Sequence, residues 1–167
     1  MRLFIAIELP SEVKAALEKI GKDMRSSKAV PRENLHITLK FLGDLPDERV
    51  PGIITALSDV KFNPFSIKLE RAGAFPSERN AKVIWISAGP EAPLAAVKAQ
   101  VDKALPRYKD DHPFKSHITL IRTEGDDLRD EIAKMNAKLE KKEILVTKIT
   151  LYKSTLTPNG PVYEKLT

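Results

Sequence analysis

Two kinds of hydrophobic spacing alternate along this chain. LFIAIELP (residues 3–10) is a short apolar run closed by proline and reads as a strand. Val13, Leu17 and Ile20 then recur at helical spacing, and Pro10 sits where that helix begins. LHITLKFLG (35–43) alternates. Ile37, Leu39 and Phe41 share one face, which predicts the core, while His36, Thr38 and Lys40 share the other. A Gly43-Asp44 turn, a helix near 47–59 and the alternating strand FSIKLERAGAFP (65–76) follow.

The same order then repeats. VIWISAGP (83–90) is a strand ended by Pro90, and Leu94, Val97 and Val101 keep helical spacing. SHITLIR (116–122) alternates with Ile118 and Leu120 on the core face and His117 and Thr119 on the other. A Gly125-Asp126 turn, a helix near 127–141 and the strand ILVTKITLYKSTLTP (144–158) complete the series. His-Ile-Thr-Leu thus stands at 36–39 and again at 117–120. One repeated tetrapeptide can arise by chance, but a matched order of elements on both sides of it points to duplication. The expected fold is α+β: one domain, 1–167, with lobes of roughly 1–80 and 81–167. Segments of the last hairpins swap between the lobes, and a cleft lies between them.

Composition narrows the class. Of 167 residues, 42% are hydrophobic and 31% charged, the balance of a globular chain. No apolar run approaches the roughly 18 residues that cross a bilayer, so no membrane partner is expected. MRLFIAIELP is too short and too soon acidic for a signal peptide, and cysteine is absent. Both features predict a cytoplasmic protein, and the second excludes a thiolate nucleophile or a zinc–thiolate site. The net charge of +5 and sequence pI of 9.3 suit an anionic partner such as RNA or a phosphorylated metabolite. Lysine-rich solubility leaves the same signature. The single glutamine, Gln100, among many Lys and Glu resembles thermophilic composition.

The two motifs carry the candidate chemistry. Each displays an imidazole and a hydroxyl side by side on the non-core face of a strand, a rigid mount. An imidazole gives or takes a proton near neutral pH. Two of them facing each other suit the opening of a cyclic phosphodiester: one deprotonates the attacking water and the other protonates the leaving ribose oxygen. Thr38 and Thr119 can donate to the non-bridging phosphate oxygens. A single strand histidine is more often structural, but here two of three histidines occupy identical contexts in a duplicated unit. His112, in DDHPF, has no such context and reads as a loop residue; with Asp110 and Asp111 it suggests a solvated turn rather than a site. Metal binding wants about three ligands, and neither His-x-x-x-His nor a Cys pair is present, so no metal and no cofactor are expected. Phosphate-loop and Gly-x-Ser-x-Gly patterns are also absent.

Twin His-x-Thr motifs about 80 residues apart resemble the 2H phosphoesterase superfamily, and in particular its RNA 2′,3′-cyclic phosphodiesterase branch, the 2′-5′ RNA ligase or LigT-like proteins. The stretches that carry the resemblance are RLFIAIELP (2–10), LHITLKFLGDL (35–45), AFPSERNAKVIWI (74–86), FKSHITLIR (114–122) and STLTPNGPVYEKL (154–166). One departure is Ser116, where a proline often precedes the second motif histidine. The resemblance implies a bilobal fold with an antiparallel sheet in each lobe, flanked by helices around a central cleft. It implies hydrolysis of a terminal RNA 2′,3′-cyclic phosphate, as on tRNA fragments, to a 2′-phosphomonoester, and a reverse joining of RNA ends through a 2′-5′ bond. By motif transfer His36 resembles the proton donor and His117 the proton acceptor; the local sequences alone do not distinguish them.

Further substrate contacts are open to two readings. Arg122 resembles the basic residue that the family keeps after its second motif, yet alternation puts it on the Ile118 face. Lys40 has cleft parity, or is solvated. Phe4 and Phe75 can stack a base or fill the core. Arg79, Lys82, Lys115 and Lys153 are weaker candidates for RNA-backbone contact. Rival functions are a cyclic phosphodiesterase acting on a small nucleotide, such as a cyclic phosphate of ADP-ribose, and a noncatalytic RNA-binding module of the same fold. No protein partner is called for.

Overall fold

The structure, a computed structural model, describes residues 1–24 and 28–167. The strands are β1 (Arg2–Glu8), β2 (Lys28–Ala29), β3 (His36–Asp44), β4 (Phe65–Pro76), β5 (Ala81–Gly89), β6 (His117–Asp126), β7 (Glu143–Val146), β8 (Thr150–Thr157) and β9 (Gly160–Lys165). The helices are α1 (Ser11–Lys22), α2 (Val50–Leu57), α3 (Glu91–Ala104) and α4 (Arg129–Lys138). Pro10 and Pro90 occupy the caps of α1 and α3 in extended conformation. The apolar spacing read from the sequence is what each helix buries: Val13 and Leu17 on α1, and Leu94, Val97 and Val101 on α3. No helix among the described residues is long and apolar enough to cross a membrane.

All strand pairs are antiparallel, in the order β7-β4-β5-β6-β3-β1-β8-β9, with β2 added beside β6. The two sheets expected from the resemblance are therefore joined. Ile37 of β3 pairs with Ile118 of β6, and through that pair the strands form one continuous curled sheet. The stretch 144–158, which alternates without interruption, breaks into β7 and β8 at opposite ends of this sheet: β7 pairs with β4, and β8 with β1. Helices cover one face, with α1 against β6 and α3 against β3 and β5. Ile37 and Ile118 are fully buried beneath them, each worth about 1.5–3 kcal/mol of burial. A second, smaller cluster of Phe4, Ala6 and Tyr152, with Tyr163 packed on it, lies on the other face.

Both motif strands bulge at the same place. Thr38 pairs with Ala6 and Lys40 with Ile5, which leaves Leu39 unmatched; Thr119 pairs with Trp85 and Ile121 with Ile84, which leaves Leu120 unmatched. A bulge reverses the alternation of the residues after it, up to the next irregularity. Leu39 and Lys40 are consequently both buried, as are Leu120 and Ile121, while Phe41 and Arg122 turn outward. Gly43 and Gly125, near the ends of the same strands, take positive φ of 80° and 107°, a conformation that glycine tolerates best.

Candidate active site

The Ile37–Ile118 pair sits on a local twofold, since the two residues are equivalent in the repeat. One step along this register, His36 faces the position of Thr119 and Thr38 that of His117. All four project from the face opposite the buried isoleucines and are half-buried. His36 and His117 are thus diagonal neighbours across an antiparallel pair, positions that lie about 7–8 Å apart along the backbone.

Each histidine is held in the same way. His36 Nδ1–H donates to the Asn34 carbonyl at 2.7 Å, and His117 Nδ1–H donates to the Lys115 carbonyl at 2.8 Å. Both acceptors lie two residues upstream, and both bonds leave Nε2 as the working nitrogen. Thr38 Oγ1 is 2.8 Å from His36 Nε2. Asn34 is itself buried and anchored by a 2.9 Å bond from its side chain to the Pro161 carbonyl, so the β8–β9 hairpin buttresses the first motif. Burial pushes the His36 imidazole below its ordinary value, against the opposing bond to Asn34; the positive charges of His117, Lys14 and Arg122 push it further down.

The walls on either side differ. Beside His36, Phe4 lies 5.0 Å from the imidazole, stacked on Tyr152 at 5.2 Å and edge-on to Tyr163 at 4.9 Å. Burial raises both tyrosines, Tyr152 to about 12, so each hydroxyl stays protonated at neutral pH. Beside His117, Phe75 meets the imidazole edge-on at 5.5 Å and leans on Trp85 at 5.2 Å.

Several sequence expectations change here. Lys40 is not on the cleft face. Beyond the Leu39 bulge it points inward, 2% exposed, with Nζ 2.7 Å from Asp102 Oδ1 and 2.9 Å from Asp110 Oδ2; Lys98 completes the cluster from α3. Burial pulls the Lys40 ammonium down, but the two carboxylates outweigh it and leave the group raised. Asp110 is therefore part of an ion network rather than a free turn, while Asp111 and His112 remain exposed. Phe41, expected in the core, is 63% exposed, 6.1 Å from Phe4. Phe4 is 3% exposed, so it backs His36 and offers no open face to a base. The same kind of bulge works the other way for Arg122, carrying it to the histidine face, exposed and without an ion-pair partner among the described residues.

Phe75 stays at the site. Lys153 pairs with Leu3 and so shares the helix-bearing face. Arg79 and Lys82 flank Ala81, which pairs with Asp126 at the far end of β6, about 25–30 Å along the strand from His117. The residues missed were Asn34, Tyr152, Tyr163 and Trp85. Only the repeated aromatics of the last hairpin gave any signal, and strand alternation alone does not say which residues gather on one face of a curled sheet.

The chain matches the family described as LigT like Phosphoesterase over residues 7–85 and again over 86–163. The chain belongs to the LigT-like phosphoesterase family. Among its relatives is the RNA 2′,3′-cyclic phosphodiesterase of Methanocaldococcus jannaschii, 37% identical over 98% of this chain and 97% of that one. The crystal structure of TT0787 of Thermus thermophilus aligns with a TM-score of 0.74 and 33% identity over all of this chain and 96% of the other. E. coli LigT complexed with 3′-AMP aligns with a TM-score of 0.77 and 25% identity over 99% and 95% of the two chains.

Proposed function

We propose that this protein is a metal-independent RNA 2′,3′-cyclic phosphodiesterase, one duplicated domain working in the cytoplasm on RNA ends such as those of tRNA fragments. The carrying observation is the matched pinning of His36 and His117 by Nδ1 on paired antiparallel strands, which leaves the two Nε2 atoms for proton transfer on one face of the sheet. The relative named RNA 2′,3′-cyclic phosphodiesterase, alike over nearly the whole chain, supports the same reading.

Water attacks phosphorus and yields a proton to His117 Nε2. The P–O3′ bond breaks, and His36 Nε2–H protonates O3′, giving a 2′-phosphomonoester and a free 3′-hydroxyl. Thr38 and Thr119 hydroxyls and the Arg122 guanidinium hold the non-bridging oxygens. His36 prefers to be neutral in the free enzyme, and the bound phosphate anion draws the needed proton onto it. Phe41 offers the exposed face for a terminal base, and Phe4 and Tyr163 fix the imidazole behind it. With a 5′-hydroxyl in place of water the same steps join two RNA ends. The test is incubation with RNA ending in a 2′,3′-cyclic phosphate, followed by ³¹P NMR of the product. A 2′-phosphate is expected; a 3′-phosphate or no turnover would overturn the proposal.

A further inference from the structure

In-line displacement puts nucleophile and leaving oxygen on opposite sides of phosphorus. The leaving O3′ belongs to the RNA that carries the cyclic phosphate, and its proton comes from His36. That strand therefore lies on the side of Tyr163 and Phe41, with Phe4 buried behind them. The nucleophile lies on the His117 side, where water needs no wall at all.

A wall is nevertheless built there. Gly73 pairs with Trp85 and Phe75 with Val83, so Arg71, Gly73 and Phe75 follow one another along β4 on the histidine face. A Cβ on Gly73 would run into the Trp85 ring, so only glycine lets the indole lie down across β4. Arg71 Cζ is 5.2 Å and Lys115 Nζ 5.4 Å from the Trp85 ring centre, and Lys115 Nζ is 5.9 Å from that of Phe75. Both cations are exposed, and neither has a carboxylate partner among the described residues. The Trp85 Nε1–H is buried and finds no acceptor among them either. Two unpaired cations on an aromatic floor, with a half-exposed phenyl ring beside the general base, make a surface for a nucleotide.

We infer that Phe75, Trp85, Arg71 and Lys115 form an acceptor subsite for the 5′-hydroxyl end of a second RNA strand. Its first base rests on Phe75 and its first internucleotide phosphate on Arg71 and Lys115. The inference rests on the cyclic phosphodiesterase reading above. The 5′-oxygen bonds to phosphorus and its proton passes to His117; the P–O3′ bond breaks and His36 protonates O3′. The product is a 2′,5′-phosphodiester beside a free 3′-hydroxyl, and no other reactant is consumed.

The experiment reads a partition. The full-length protein receives a short RNA ending in a 2′,3′-cyclic phosphate and increasing amounts of a 5′-hydroxyl dinucleotide, and joined and hydrolysed products are counted by mass spectrometry. The joined fraction should saturate with acceptor. Arg71→Ala, Lys115→Ala and Phe75→Leu should each lower the ratio of joined to hydrolysed product, by roughly tenfold for the stacking residue. General structural damage lowers both products and leaves the ratio alone, so an unchanged ratio in all three variants overturns the subsite. So does a wild-type protein that makes only the monoester at every acceptor concentration. Failure to turn over the cyclic phosphate at all would instead remove the hydrolase reading.

Discussion

Replacing Lys40 by Met keeps the length of the side chain and deletes its charge. Two charge-assisted hydrogen bonds are lost, at 2.7 and 2.9 Å, each worth at most about 1.5–3 kcal/mol. Three features reduce the total. Lys98 still bonds both carboxylates. The Asp102 and Asp110 side chains are 45% and 28% exposed, so water reaches them. Removal of a buried ammonium also relieves its own desolvation. The net loss should be about 2 kcal/mol, below the 3–5 kcal/mol for a fully buried pair broken on one side. For a chain of this size that lowers Tm by about 4–8 °C. The pH dependence has a definite sign. Burial pushes the Asp110 carboxyl up, but the bonds from Lys98 and Lys40 outweigh it and hold the group low. A depressed carboxyl stabilises the fold above its unfolded pKa and stops doing so as pH falls through the folded value. Thermal denaturation should therefore show the full deficit at pH 6–8 and a shrinking one below about pH 4. Lys40→Met/Asp110→Asn, which removes one charge of each sign, should recover part of it. KM for an RNA cyclic phosphate should stay within about twofold of wild type, because the ammonium does not face the cleft. A variant that melts like wild type, or one that keeps its Tm while KM rises steeply, would refute the buried-network account.

Four further outcomes are expected. His36→Ala and His117→Ala should each cost roughly 10²–10⁴-fold in turnover, and the double variant far less than the product of the two; an activated leaving group should rescue His36→Ala and not His117→Ala. In an NMR titration the His36 imidazole should titrate below 6.5, and Arg122→Met should move it upward; a value at or above 6.5 in the wild type contradicts the burial argument. Phe41→Ala should raise KM for an oligonucleotide by roughly tenfold with kcat spared, if a base rests on it, and equal KM values would remove that contact. Activity should survive excess EDTA, and loss restored by one divalent ion would reject a metal-free mechanism.

The faces of the two His-x-Thr motifs were more legible in the sequence than those of their surroundings. His36, Thr38, His117 and Thr119 were readable because period-two alternation holds up to the threonine of each motif. Just past it, at Leu39 and Leu120, one unmatched residue inverts the assignments that follow, as far as the next irregularity of each strand. A bulge leaves no mark in the hydrophobic pattern when the residues on both sides of it are apolar or long. Thr-Leu-Lys-Phe reads as regular alternation, yet it buries the lysine and exposes the phenylalanine. Helices were easier, since Val13, Leu17, Leu94, Val97 and Val101 carry their own period; strand order was not, because 144–158 has no feature that sends its two parts to opposite ends of a sheet.

The bulges also separate two properties that a duplicated unit would otherwise keep alike. Before each bulge the halves are the same, an imidazole and a hydroxyl two residues apart, and acid–base chemistry on one phosphate wants that likeness. Five residues after the histidine the halves differ: Phe41 on one side and Arg122 on the other, both brought to the histidine face by the same inserted residue. Without the bulges Arg122 would share the buried face of Ile118, and Lys40, rather than Phe41, would turn to the cleft. With them, one half presents an aromatic surface suited to a base and the other a guanidinium suited to a phosphate. A symmetric pair of histidines is thereby set in an asymmetric cleft. On the reading proposed above, a substrate with one base and one cyclic phosphate lies with its base on Phe41, which puts O3′ beside His36 and the nucleophile beside His117.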